Sequence, residues 1–350
     1  MRCWTADSGR QSPIIGGVLP STLHNLSPSH TPSPLDLIAD EMRLVDAVIA
    51  QRLESRVPLI KDVAQYIISA GGKRLRPALL LLCSGAIESS HRDRHSLAAV
   101  VEFIHTATLL HDDVVDESTL RRGRATANEA FGNAASVLVG DFLYSRAFQM
   151  MVDTDNMRVM QILSDATNVI AEGEVMQLVN MRDASLTEAG YLDVIRSKTA
   201  KLFEASARLA AVLVDASPAT EAACATYGQA IGTAFQVIDD VLDYEGDAAH
   251  MGKNLGDDLR EGKVTLPVIV ALREADTAEQ AILREAIEEG QLERLSDIVA
   301  IVKRRGGLDA ARQAAMAEAR RATEAIRELP DNAHRRALLQ LAADLLQRQQ

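Results

Sequence analysis

Cysteine is scarce in this sequence: Cys3, Cys83 and Cys224 lie far apart, with no CxxC pair and no even-numbered set. That argues against a disulfide framework and fits a reducing compartment. Apolar runs are short as well. None reaches the ~18 residues of a spanning helix, and the amino terminus lacks the apolar centre of a secretory signal. A cytoplasmic protein is expected. Positive charge is in deficit, with 37 Lys and Arg against 49 Asp and Glu and a net charge of −12. A nucleic acid would want a basic surface, so it is not an expected partner. The acidic surplus does not exclude a phosphorylated small molecule, because carboxylates hold phosphate through a bridging divalent cation.

Apolar residues make up 47% of the 350, enough for a sizeable core. Residues 1–34 stand apart: they hold the only tryptophan and five of the ten prolines, with no helical period. They read as a disordered arm or as sequence upstream of the true start. Residues 35–350 read as a single domain. Leu37, Ile38, Met42, Val45, Val48 and Ile49 fall on one helical stripe. Later apolar stretches (Leu97–Leu110, Ala134–Met151, Val159–Val179, Val194–Val214, Ala222–Leu242, Val264–Leu272) have helix length. Breaks come at Gly71-Gly72, Gly123, Gly132, Pro218, Gly246, Gly252 and Pro330. No hairpin-type alternation is expected. The fold class is all-α, a large antiparallel or orthogonal helical bundle.

One pattern repeats. Leu110-His111-Asp112-Asp113-Val114-Val115-Asp116 is echoed by Val237-Ile238-Asp239-Asp240-Val241-Leu242-Asp243. Residues i and i+4 share a helix face, so Asp112 points with Asp116, and Asp239 with Asp243. Clustered carboxylates at the end of an apolar helix repel one another unless a cation sits between them. Mg²⁺ suits them, because it takes a few carboxylates, keeps waters and completes its octahedron with phosphate oxygens. The alternating Asp-x-Asp-x-Asp-Gly of a calcium loop is absent, and so is the Glu-x-x-His of a di-iron bundle. Direct cationic donors for diphosphate occur in Gly71-Gly72-Lys73-Arg74-Leu75-Arg76-Pro77 and Arg121-Arg122-Gly123. Arg74 taken alone reads as surface charge, whereas Arg121 and Arg122 sit beside the first carboxylates.

Together these blocks resemble the long-chain trans-polyprenyl diphosphate synthases. The resemblance runs from about residue 35 to the end. It also rests on Phe103 to Leu110, Ser197-Lys198-Thr199-Ala200, Gln236, Gly252 to Asp258, and Gly262 to Pro267. It implies the isoprenoid synthase bundle around a central cavity. The implied reaction extends an allylic diphosphate, such as farnesyl diphosphate, with isopentenyl diphosphate. The product would be octaprenyl diphosphate or a similar length, for a quinone side chain. By the same resemblance, Lys73, Arg76, His105 and Arg122 hold isopentenyl diphosphate. Arg121, Lys198 and Lys253 hold the allylic diphosphate, and Lys263 is a further substrate-binding residue. Asp112, Asp116 and Asp239 bind two or three Mg²⁺ ions, supported by Asp113, Asp240 and Asp243. Thr199 and Gln236 face the developing allylic cation, and His111 makes a helix-end hydrogen bond. A homodimer and transient membrane proximity for product release are implied too. Alternatives are a shorter-chain synthase, a class I terpene cyclase, or a catalytically silent subunit of a heteromeric synthase. The second Asp-Asp-x-x-Asp and the paired arginines weigh against the last two.

A growing product needs a dry tunnel running from the metals. Positions four and five residues before Asp112 lie about a turn down the helix. The residues there are Thr108 and Ala107, both small. The tunnel floor is expected deeper, near Phe148 or Met151 on the next long helix.

Overall fold

The computed structural model describes residues 33–245, 256–290 and 293–347. The proposed arm up to residue 32, and Lys253, lie outside the described residues. From Pro34 onward the chain forms one unit by its internal contacts, and sixteen α-helices occur among the described residues.

Helices α1 (Ala39–Arg52), α2 (Pro58–Ser69), α3 (Leu75–Ala86) and α4 (Arg94–Val115) come first. Proline begins α2 and, later, α10, where a missing N–H costs nothing. Pro218, expected as a break, is therefore a helix start. A short helix α5 (Ala127–Phe131) leads into α6 (Asn133–Val152) and α7 (Met157–Val179). The Asn156 side chain caps α7 by accepting from the backbone N–H groups of Arg158 and Val159. Next come α8 (Glu188–Ile195), α9 (Lys201–Val212) and the long α10 (Pro218–Glu245). The chain ends in α11 (Asp257–Arg260), α12 (Leu266–Glu274), α13 (Thr277–Glu289), α14 (Leu295–Arg304), α15 (Gly307–Ala325) and α16 (Ala333–Leu346).

The core lies where α3, α4, α9 and α10 meet. Leu79 to Leu82, Phe103, Ile104, Phe203, Tyr227 and Val237 are essentially sealed from solvent. Helix α10 runs between α9 and α15, and α4 packs along α6. The ends of α4 and α10, where the apolar period stops, carry the two aspartate triplets.

Two local features depart from expectation. A two-residue antiparallel ladder pairs Leu120–Arg121 with Arg124–Ala125. Arg122 (φ 53°) and Gly123 (φ 73°) form its turn, the positive-φ pair of a tight hairpin. The absence of any hairpin in the sequence reading is thus corrected. The ladder is too short to show alternation, and its job is to set Arg121 and Arg122 in place.

The second feature lies between α8 and α9, inside the stretch expected to be one helix. Arg196–Ala200 winds as a single π turn, a local irregularity often found at functional sites. It carries Lys198 and Thr199. Helix α7 comes so close that a Cβ added at Gly173 would sit 2.6 Å from the Lys198 backbone nitrogen. Gly173→Ala must therefore displace the π turn. We expect a stability loss of about 1–3 kcal/mol and a fall in turnover, read by thermal melting and steady-state kinetics. An unchanged melting curve with unchanged turnover would show that the turn does not depend on this close approach.

Candidate active site

The first triplet divides by burial. The Asp113 side chain is 1% exposed, and its carboxylate takes Arg121 end to end. Arg121 Nη2 donates to Oδ1 at 2.6 Å and Nε to both oxygens at 3.0 and 3.2 Å. Asp113 thus anchors the hairpin arginine, and its oxygens are already engaged.

Asp112 and Asp116 are only partly buried and face basic neighbours. Lys198 Nζ lies 3.9 Å from Asp112 Oδ2 and donates to Glu174 Oε2 at 2.5 Å. Lys263 Nζ bridges Asp116 Oδ2 and Glu261 Oε2, both at 2.7 Å. Burial raises the Asp112 carboxyl, with Lys198 pulling it down and Asp116 pushing it up. Glu174 is pushed up to about 7 by burial first and the Asp112 charge second, against the pull of Lys198. Burial opposes the Lys263 charge, but Asp116 and Glu261 outweigh it and hold the ammonium above its ordinary value.

The second triplet divides the same way. Asp240 is 2% exposed. Its Oδ2 accepts from the Tyr191 hydroxyl at 2.5 Å and its Oδ1 from Gln236 Nε2 at 2.8 Å. Gln236 Oε1 in turn accepts from Thr199 Oγ1 at 3.0 Å. One chain of hydrogen bonds therefore links α8, the π turn and α10. Asp243, though on the same helix face as Asp239, is buried beneath α11, and the Asp258 N–H reaches its Oδ2 at 3.4 Å. Asp239 keeps partial exposure, and its charge supports both Arg76 and Arg122. Three carboxylates, Asp112, Asp116 and Asp239, remain on the open side, while three brace the walls.

No three His, Cys, Asp or Glu side chains converge on one ion position among the described residues. Hard carboxylate oxygens spread across two helix ends still fit Mg²⁺, which needs few protein ligands when a diphosphate supplies the rest.

A cationic pocket adjoins this face. Arg76 lies 3.0 Å through Nη1 from His105 Nε2, with its guanidinium 4.4 Å over the Phe203 ring. Burial, then the charges of Arg76, Arg121 and Arg122, hold His105 well below its usual range. The ring is therefore neutral, and its Nε2 accepts from Arg76. Burial also lowers Arg76 to about 10, against the support of Glu102, Asp239 and Asp112. Arg122 packs on Gly72, where an added Cβ would meet its Nη1 at 2.6 Å. Lys73 lies in the adjoining exposed turn. Arg74 is drawn aside into an ion pair with Asp46 on α1, consistent with its reading as surface charge.

Of the chain-length candidates, Ala107 is fully buried, while Thr108 and Phe148 stay partly exposed. His111 makes a helix-to-helix contact to the Val137 carbonyl on α6 at 3.1 Å. Four site residues belong to none of the motifs: Glu102, Glu174, Tyr191 and Glu261. Only Glu102 leaves a trace in the sequence, as the one carboxylate within the apolar run Leu97–Leu110.

The model of the polyprenyl synthetase family matches residues 57–303. The chain belongs to the polyprenyl synthetase family. It is 49% identical to octaprenyl diphosphate synthase of Escherichia coli over 314 residues, 89% of this chain and 97% of that one. It is 43% identical to the all-trans-nonaprenyl-diphosphate synthase (geranyl-diphosphate specific) of Rhodobacter capsulatus, over 89% of this chain and 96% of that one. The crystal structure of a polyprenyl synthase from Caulobacter crescentus, complexed with calcium and isoprenyl diphosphate, matches with a TM-score of 0.87 at 42% identity. That match covers 91% of this chain and 97% of the other. As a polyprenyl synthetase the chain is a prenyltransferase with the all-α isoprenoid synthase fold, joining isopentenyl diphosphate head-to-tail to allylic diphosphates. No helix among the described residues is long and apolar enough to cross a membrane.

Proposed function

We propose that residues 35–350 act as one domain that makes octaprenyl diphosphate or a product of similar length from farnesyl diphosphate and isopentenyl diphosphate. The observation that carries this reading is the pair of Arg76 and His105, 3.0 Å apart, near enough to Asp112 and Asp239 for both charges to act on Arg76. A cationic pocket thus adjoins the open carboxylates, as two diphosphates reacting side by side require. Asp112, Asp116 and Asp239 hold Mg²⁺, two or three ions in all, which when bound supplies counter-charge for the allylic diphosphate. Arg121, Lys198 and Lys263 add direct donors to that leaving group, with Lys253 a further candidate. Thr199 and Gln236 present oxygens toward the allylic carbon as it becomes cationic. Arg76, His105, Arg122 and Lys73 hold the acceptor, whose alkene attacks. No protein nucleophile takes part. The enzyme acts as a homodimer in the cytoplasm and passes its product to a membrane for a quinone side chain.

Incubation with radiolabelled isopentenyl diphosphate and separate geranyl or farnesyl primers tests this directly. The expected result is efficient use of farnesyl diphosphate and a product near octaprenyl length. Products ending at geranylgeranyl length would establish a shorter-chain enzyme, and no incorporation would establish a silent subunit.

The acceptor pocket makes its own prediction. Arg76→Ala or His105→Ala should raise KM for isopentenyl diphosphate about ten- to a hundredfold, with far less effect on the primer, since a charge-assisted contact contributes ~1.5–3 kcal/mol. A selective effect on the allylic primer would mean that the two pockets are exchanged.

A further inference from the structure

The acceptor pocket contains an anion of its own. Glu102 lies one turn before His105 on α4, is 9% exposed, and has an Oε2 with no hydrogen-bond partner. Burial raises its carboxyl, against the pull of the Arg74, Arg76 and Arg122 charges, and its charge is the largest electrostatic support of the Arg76 guanidinium. A carboxylate buried beside the arginines that should bind diphosphate looks counterproductive, because it repels the ligand. Nor does it hold the pocket together through a two-pronged ion pair of the kind Asp113 makes with Arg121.

We propose that Glu102 is a positioning residue that weakens the acceptor pocket's hold on diphosphate so that the lengthened product can leave it after each round. This rests on the reading of Lys73, Arg76, His105 and Arg122 as the acceptor site. The chemistry supplies the reason. The bond that breaks is the allylic C–O bond, so pyrophosphate departs from the allylic side. The product keeps the diphosphate that arrived with isopentenyl diphosphate. Before the next addition that diphosphate must move from the arginine pocket to the aspartate face. An enzyme that adds one unit and stops never needs this transfer, whereas a long-chain enzyme needs it every cycle. Glu102 keeps Arg76 and Arg122 assembled while the pocket is empty and competes for them while it is full, so neither state is too deep.

The test compares wild type with Glu102→Gln, which keeps the side chain's shape and removes its charge, and Glu102→Asp, which draws the charge back from the guanidiniums. Isopentenyl diphosphate binding to metal-free protein is measured by calorimetry at alkaline pH, which favours the ionised carboxylate against the burial that raises it. Affinity should rise on the order of tenfold in Glu102→Gln and by less in Glu102→Asp. Multi-round kcat should fall by a larger factor than the rate of the first condensation followed in a single turnover. A residue that merely supports the fold would weaken binding and slow both phases. Folded Glu102→Gln binding no tighter than wild type would overturn the inference. Should Glu102→Gln fail to fold, Glu102→Asp decides alone in the same direction. If wild type itself did not bind isopentenyl diphosphate under these conditions, the acceptor-site assignment would fall, and this inference with it.

Discussion

Asp112→Ala and Asp239→Ala should each remove nearly all polyprenyl synthesis while leaving a folded protein. Both carboxylates are partly exposed at the open side of their helix ends, whereas Asp113 and Asp240 are buried in hydrogen-bond chains. Their loss should therefore be felt by bound cation and diphosphate rather than by the core. Asp112 carries a burial penalty and repulsion from Asp116. Its removal should leave the melting temperature unchanged or slightly higher, since Lys198 keeps its 2.5 Å contact with Glu174. Asp239 counterbalances Arg76 and Arg122, so Asp239→Ala should lower the melting temperature modestly. Asp113→Ala makes the contrast, because it removes the buried partner of the Arg121 guanidinium, itself 26% exposed, and should destabilise by about 1–3 kcal/mol. Turnover and melting curves measured on all three variants separate the roles. Near wild-type activity of either open-side variant at saturating Mg²⁺ would refute the metal assignment.

Much of this organisation could be read before any coordinates. The apolar period of 3.6 located α4, α6, α7 and α10 within a few residues, because long buried helices leave little else for those side chains to do. The paired Asp-Asp-x-x-Asp motifs could be read because their spacing is itself a helical geometry. What the sequence concealed is rotation and partner choice. Nothing in Asp-Asp-x-x-Asp says that Asp113 turns inward to Arg121 or that Asp240 turns to Tyr191, since those partners come from a hairpin and from another helix. The Arg196–Ala200 π turn is hidden for a related reason: one extra residue per turn does not disturb an apolar pattern this dense, yet it re-aims Lys198 and Thr199. Glu174 and Glu261 look like ordinary solvated helix or loop acids until the fold places them against Lys198 and Lys263.

Product length offers the other large effect, and the burial of Ala107 makes its neighbour Thr108 the position to test. Small residues at Ala107 and Thr108 both suggested an open tunnel mouth. Ala107, however, is fully enclosed by the core, so a ring there meets packed atoms first and should cost ~1–3 kcal/mol in overpacking. Thr108 keeps partial exposure and lies on the same helix face as His105 and Asp112, three residues after one and four before the other. Its hydroxyl is occupied locally, donating to the His105 carbonyl at 2.8 Å, so replacing it leaves no distant group unpaired. Thr108→Phe therefore sets a ring about 6 Å down the helix from Asp112 at ~1.5 Å per residue, where a chain of a few isoprene units must pass. The expected result is a product shortened by several units, with primer consumption in the first condensation kept. Phe148, half-buried on α6 with its ring centroid 5.9 Å from that of Tyr144, is the candidate further down. Phe148→Ala should lengthen the product if that ring closes the tunnel. Chain-length analysis of both variants, with melting curves to confirm folding, decides the matter: a folded Thr108→Phe enzyme that still made the wild-type length would place the tunnel on another face of α4.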